Sequence, residues 1–398
     1  MFKNAFRLLP LLLLSISLSC HHTGDQTKSG VNEDSLRKAR LENFDHTYDD
    51  ITRYIAGLPL REKSSIPASL QNVTWKKYCR DMDTAWSKME NTRLLPMRNW
   101  AKANLKDAMN NERTMFYPFS GPDMVNVYQF FPNDSLYILM AMEFPGSLPQ
   151  MKKMDSTHAL RYLWSVRGAL NDLFNRSYFI TSYMSKGVSQ DARGTVPVIC
   201  LFLARTGNTI IDIRKYHLNN DGTTTPLASD SSLIGIKNDF AEIYFRKNGS
   251  EKVQKVIYIS CNLSNDTYPD NKSIIGLTEN KALYNWMQKI SDCNTYLKAA
   301  SYLPHNPFMS MVRDLILAKS KVILQDDTGV PFSYLTDDKW NVSFYGNYSA
   351  PIKDFPHGYY QPDLRKAYDK GPVGKMDFSL GYHAQDQKNQ NLIMAIRK

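Results

Sequence analysis

The longest apolar run in this chain extends from Leu8 to Leu18, directly behind Lys3 and Arg7, and is interrupted only by Pro10, Ser15 and Ser17. Basic residues followed by a short apolar core have the plan of a secretory leader. Crossing a bilayer takes about 20 apolar residues, so cleavage is expected rather than a retained span. No later segment is as long and as apolar, so the rest of the chain must fold in water by burying short amphipathic elements against one another. Its composition permits this: 42% of residues are hydrophobic, 12% aromatic and 22% charged. That balance excludes a disordered, collagenous or polytopic membrane chain. The length, 398 residues, suggests about two to three domains.

Ser19 and Cys20 close the leader. A small residue before a cysteine resembles the bacterial lipobox, with Ser17 where the common pattern has Leu. The resemblance implies that residues 1–19 are removed and that Cys20 becomes the acylated first residue. Acyl chains contribute roughly 0.8 kcal/mol per buried CH2, and more than one chain anchors stably. The expected partner is thus a membrane reached through lipid. The expected location is the bacterial cell envelope, with the outer membrane favoured. An ordinary signal peptide with an incidental cysteine is the alternative. Residues 20–33 are polar and aperiodic, and read as a flexible tether.

Residues 34–110 read as mostly helical, because LRKARLENFDHTYDDITRYIAGL, TWKKYCRDMDTAWSKM and NWAKANLKDAM repeat apolar residues at three and four. Residues 111–398 read as an α+β body, separate from the helical front or continuous with it. MFYPFSGPD and SLYILMAMEF are expected strands, and Asp155 is the expected N-cap of a helix running to Phe174. VPVICLFLAR and TIIDIRKYHL read as two strands of a hairpin turned at Thr206, Gly207 and Asn208. With FAEIYFRKN and KVIYISCNL they suggest a meander, antiparallel because the linkers are too short for helical crossovers. Two or three helices are expected between Glu279 and Ser320. The last part reads as strands KVILQ, WNVSFYGNY, DFSLGY and NLIMAIR around a short helix near Leu364 to Tyr368. The expected fold class is α+β: a helical N-terminal part, then a mainly antiparallel or mixed sheet with packed helices.

The chain carries 49 basic and 39 acidic residues, a formal charge of +10 that falls by two when Lys3 and Arg7 leave with the leader. These cations are scattered, without a run of five and without aromatic interleaving, so no nucleic-acid partner is expected. Five cysteines without a CxxC spacing argue against a disulfide scaffold or a zinc ribbon. Beyond Cys20, the pairing of Cys79, Cys200, Cys261 and Cys293 stays open. Cys200 and Cys261 sit in apolar runs, where buried free thiols are expected in preference to a Cys200–Cys261 bridge.

Asp327, Thr328 and Gly329 follow an apolar strand and resemble the aspartic-protease loop, in which paired carboxylates share a proton. Gln325 and Asp326 precede them in place of apolar residues, Val330 follows, and no second DTG or DSG exists. An ordinary turn accounts for them better. GxSxG, HExxH, P-loop and GxGxxG spacings are absent. The one SxxK match, Ser35 to Lys38, lies beside the tether. His158, His217, His305, His357 and His383 are isolated, so neither metal nor cofactor is expected.

What remains are polar residues at strand ends: Ser120 to Asp123, Arg205 to Asn208, Asp326 with Asp327, and Tyr345 to Tyr348. Carboxylates and aromatics on loops can hold a sugar by hydrogen bonding and ring stacking. Turn chemistry alone also accounts for them. Asp34-Ser35-Leu36, Asp83-Thr84-Ala85 and Asp134-Ser135-Leu136 resemble the O-glycosylation pattern of exported Bacteroidota proteins.

The segments FYPFSGPD, FFPND, LFLARTGN, KAASYLPHN, ILQDDTGVPF and FYGNYSAPI together resemble a group of Bacteroidota-like bacterial envelope lipoproteins, over most of the chain from about residue 110. The resemblance implies an envelope location and carries no activity. The leading expectation is an anchored, noncatalytic binding or envelope-maintenance protein with a glycan or envelope-protein partner. The alternative is a carboxylate-dependent hydrolase of an envelope or dietary polysaccharide, with Asp123, Asp326 or Asp327 as acid and base and Arg205 and Tyr345 as binding residues. A third reading, an assembly factor, would need an exposed apolar patch.

Overall fold

The computed structural model describes residues 44–176, 194–228, 231, 233, 238–353, 355, 358–386 and 388–398. Cys20, the leader and the tether lie outside these residues, as does the start of the first expected helix. Residues Phe44–Lys398 form one compact unit, so the helical front and the body share a core.

The front comprises α1 (Thr47–Ile55), α2 (Val73–Met89), a π-helical turn at Glu90–Leu94, α3 (Leu95–Asn104) and α4 (Lys106–Asn110). Asn72 caps α2 by accepting from the Thr74 and Trp75 amides, the pattern short polar side chains favour at helix starts. Tyr54 stacks on Trp75 with centroids 5.2 Å apart, and the Tyr78 hydroxyl donates to the Ile55 carbonyl at 2.6 Å. These contacts pin α1 to α2.

The body continues with β1 (Thr114–Pro118), α5 (Met124–Phe130), β2 (Leu136–Ala141), α6 (Ser156–Ala169), α7 (Asn171–Arg176), α8 (Val196–Arg205), β3 (Asn208–Leu218), β4 (Thr224–Pro226), β5 (Asp239–Lys247) and β6 (Val253–Ser260). After these come α9 (Lys281–Gln288), β7 (Cys293–Leu297), α10 (Ser310–Lys319), β8 (Ser320–Gln325), β9 (Trp340–Gly346), α11 (Pro362–Lys370), β10 (Val373–Gly374) and β11 (Asn391–Arg397). Asp155 does cap α6, accepting the His158 amide at 2.8 Å.

Among the described residues the strands form one sheet in the order β10-β9-β11-β8-β7-β1-β2-β6-β5-β3-β4. The class is α+β with a mixed sheet; the expected antiparallel meander holds for β3, β5 and β6, but VPVICLFLAR is not one of its strands and the centre of the sheet is parallel. The central strands β8, β7, β1, β2 and β6 run parallel, and helices α5, α9 and α10 supply crossovers between them. Antiparallel pairing is confined to the flanks, β6-β5-β3-β4 on one side and β8-β11-β9 on the other.

Side-chain alternation assigns the two faces. Met115, Tyr117, Tyr137, Leu139, Val256 and Tyr258 join the core beneath α1, α2, α3, α6 and α8. Phe116, Ile138, Met140, Ile257 and Ile259 join a second core beneath α9, α10 and α11. This is the period of two that a sheet covered on both faces imposes.

Two local expectations are corrected. VPVICLFLAR is the helix α8, not a strand, with Val196 to Ala204 buried throughout. A run apolar on every side suits a wholly buried helix as well as a buried strand, and only its surroundings decide. Thr206 and Gly207 consequently join a helix to β3 instead of closing a hairpin, and Gly207 still takes a positive φ of 83°. The buried free thiols expected at Cys200 and Cys261 are found, and Cys79 and Cys293 are free as well.

The region between Glu279 and Ser320 contains the strand β7, which sequence reading missed. Its Asn294 and Thr295 are fully buried, and their polar groups hide the strand's period. DFSLGY is not a strand either, since residues Gly381–Gln385 form a 3-10 turn.

Candidate active crevice

The parallel strands lead the chain away from β1 in both directions: β2 and then β6 on one side, β7 and then β8 on the other. Strand order therefore reverses between β1 and β7. In open sheets the crevice at the carboxyl ends of such strands is where ligands bind. A cavity of about 220 Å³ lies there, lined by the loops that follow β1, β2, β6 and β7.

The loops around it are held in unusual conformations. Among the described residues six non-glycine residues have positive φ. Phe119, Ala299 and Ser301 of that group line the cavity, and Tyr302 follows directly. Left-handed backbone costs about 1–2 kcal/mol per non-glycine residue, and such strain concentrates at ligand clamps and active sites.

Specific bonds hold the strained loops. Asp326 Oδ2 accepts the Ala299 amide at 2.8 Å, Thr328 Oγ1 accepts the Ala300 amide at 2.8 Å, and the Ser301 and Tyr382 hydroxyls are 2.6 Å apart. The Tyr302 hydroxyl donates to Asp327 Oδ2 at 2.7 Å.

Lys298 and Asp123 form the floor. Lys298 Nζ lies 2.5 Å from Asp123 Oδ2, with side chains only 2% and 1% exposed. The Tyr117 hydroxyl donates to the same oxygen at 2.8 Å, and Asn126 Nδ2 donates to Oδ1 at 2.7 Å. Burial pulls the Lys298 ammonium below its ordinary range, against the opposing pull of Asp123. Burial, and then the Asp123 charge, push the Tyr117 phenol far up.

Arg93, delivered into the core by the π-helical turn, stands close enough for its charge to act on Lys298. Burial pulls its guanidinium down to about 10. Arg93 Nε and the Tyr296 hydroxyl have no hydrogen-bond partner among the described residues. Such orphaned buried groups are rare and call for an internal water or a ligand group.

The carboxyl end of β8 supplies the support. Burial, and then the neighbouring Asp327, raise the Asp326 carboxyl above its usual range. Asp327 Oδ1 receives Asn391 Nδ2 at 3.0 Å and faces His383 Nε2 at 3.0 Å. Burial disfavours the charged His383, but the hydrogen bond and charge of Asp327 prevail and raise its pKa.

Of the residues singled out from sequence, Asp123, Asp326 and Asp327 come to this one end of the sheet. Asp123 lines the cavity, whereas Asp326 and Asp327 brace the loops around it. Arg205 lies elsewhere: it closes the end of α1, donating from Nε to the Ala56 carbonyl at 2.7 Å and pairing with Asp83 at 2.5 Å. Tyr345 is a core residue, its ring 4.7 Å from Trp100 at 84°.

The sequence reading missed Glu143, Lys298, Ser301 and Tyr382. Glu143 was accessible from its position just past a strand end. Lys298 was not, because the strand preceding it was unrecognised. Among the described residues no group of three or more His, Cys, Asp or Glu side chains is placed to hold a metal ion, and no helix is long and apolar enough to cross a membrane.

No protein-family model matches the chain, and neither curated proteins nor solved structures give a match to it.

Proposed function

We propose that this chain is a lipid-anchored envelope protein that binds a small polyhydroxylated ligand, such as the sugar end of a glycan, in the crevice beyond β1, β2, β6 and β7. The observation that carries the reading is the meeting of strained loops with Glu143 at that crevice. Glu143 follows β2, about 20 residues beyond Gly121, the place from which an acidic side chain reaches vicinal hydroxyls in doubly wound folds. Its Oε1 lies 3.9 Å from where a β-carbon on Gly121 would stand, so the side chain faces the β1 loop across the cavity. Phe119 and Tyr382 supply rings for stacking on a sugar face.

Binding is favoured over carboxylate-driven hydrolysis. Asp123 is occupied by Lys298, Tyr117 and Asn126, and Asp326 accepts the Ala299 and Thr328 amides. Asp123 is thereby engaged by the Lys298 ammonium, and Asp326 by backbone amides. The anchor at Cys20 supports the envelope setting, as does the leader before it.

Calorimetric titration of the detergent-solubilised full chain with xylose, glucose, sorbitol and xylitol tests the reading. At least one should bind, and Glu143→Gln should weaken it about tenfold or more, the scale of a hydrogen bond to a charged group. Equal binding by the variant, or none by the native chain, overturns it. Cys20→Ala should move the chain from the membrane fraction to the soluble one.

A further inference from the structure

Lys298 is an amine in the floor of this cavity that the proposed sugar binding does not use. Its proton has a fixed destination: Asp123 Oδ2 is 2.5 Å away, and that carboxylate is kept from rotating by Tyr117 at 2.8 Å and by Asn126 at 2.7 Å. The next residue, Ala299, is left-handed and tied to Asp326, which fixes the backbone that carries the amine. A desolvated lysine beside a second cation is the usual arrangement for an amine that attacks carbonyl carbon.

We propose that Lys298 captures its ligand covalently and reversibly, as an imine with the open-chain aldehyde or ketone of a small polyhydroxy compound. The inference rests on the cavity being the ligand site. Asp123 takes a proton from the ammonium, and the freed nitrogen pair forms a C–N bond to the carbonyl carbon. The carbonyl π pair moves to oxygen, which takes the proton held by Asp123. Asp123 then accepts the surplus proton from nitrogen, giving the carbinolamine, and returns it to the hydroxyl, which leaves as water while the nitrogen pair forms C=N as a protonated imine. Amine and carbonyl thus give imine and water, with no oxidant or reductant required.

Burial lowers the Lys298 pKa, Asp123 opposes, and the Arg93 charge adds to the lowering. Each unit of lowering raises the neutral amine fraction about tenfold near neutral pH.

The test treats the detergent-solubilised full chain with glyceraldehyde and sodium cyanoborohydride and maps the reduced adducts by peptide mass spectrometry. Lys298 should be labelled faster than the exposed Lys152 and Lys153. Asp123→Asn removes both the proton acceptor and the charge that favours the ammonium, so it should change the rate at Lys298 alone, leaving those two unchanged. Xylitol, a polyol with no carbonyl, should protect Lys298 without forming an adduct.

Labelling of Lys298 no faster than the surface lysines overturns the inference. If xylitol still binds by calorimetry in that case, the binding reading survives. Fast labelling of Lys298 that xylitol fails to slow supports the capture and counts against polyol binding. Should Asp123→Asn not fold, the native protein's rate ratio and its protection by xylitol decide the matter alone.

Discussion

Gly381 lies against the Asp326 carboxylate so closely that a β-carbon on it would stand 2.6 Å from Asp326 Oδ2. Its φ of +60° is also one that L side chains resist. The carboxylate it covers accepts the Ala299 amide and so holds the left-handed loop after β7 in place.

Gly381→Ala is therefore expected to destabilise the protein by about 2–4 kcal/mol, adding the left-handed penalty to displacement of a buried carboxylate. Urea unfolding followed by circular dichroism checks this. The same variant should weaken polyol binding, since its disturbance lies against the cavity loops. A change below about 0.5 kcal/mol, the range of a neutral surface substitution, would show that the loop accommodates the methyl.

The His383–Asp327 pair makes stability depend on pH in a stated direction. His383 has its pKa raised in the folded state, so its contribution is fully present below the ordinary histidine value of about 6.5 and is lost as pH rises through the folded value. His383→Gln should accordingly cost more stability at about pH 6 than at about pH 9. Urea midpoints at the two values provide the measurement. Asp327, Asp326 and Asp386 all act on this histidine, and a pH-independent loss in the variant would mean that its role is packing alone.

Asp134 behaves in the same sense for a different reason. Burial raises its carboxyl to about 7, although Asn294 Nδ2 reaches both oxygens at 3.1 Å. The folded state holds this proton more tightly than the unfolded one, so stability is lost as pH rises from about 4 to about 7. Asp134→Asn keeps the shape and removes the buried charge. It should flatten that part of the stability profile and make the protein more stable than native at about pH 8. Parallel profiles for the two proteins would sink this account.

How much of the site was legible depends on where each residue's signal resides. Asp123 was visible because the Ser-Gly-Pro-Asp turn announces a strand end, whereas the helix α5 that Asp123 caps was not foreseen. Arg205 was chosen because VPVICLFLAR read as a strand with a functional loop behind it. In the folded chain that run is α8, and Arg205 serves the end of α1 instead. Tyr345 was chosen from a glycine-containing turn, but Trp100 packs on its ring. Lys298 carried no signal at all, because CNTYL shows neither alternation nor an apolar run.

Local chemistry determined what local physics governs: the turn glycine Gly207, the Asp155 cap, the strands of regular alternation and the α+β class. Each depends on residues within a few positions of one another, so it can be read in one dimension. The tertiary structure alone decided whether residues 196–205 became helix or strand, that the central strands run parallel, and that β7 exists. Phe116 pairs with Thr295, and Leu297 with Gln325. The cavity exists because those pairings bring four strand ends together. No property of the segment around Lys298 encodes that meeting, since the partners that make it a strand lie far away in the chain.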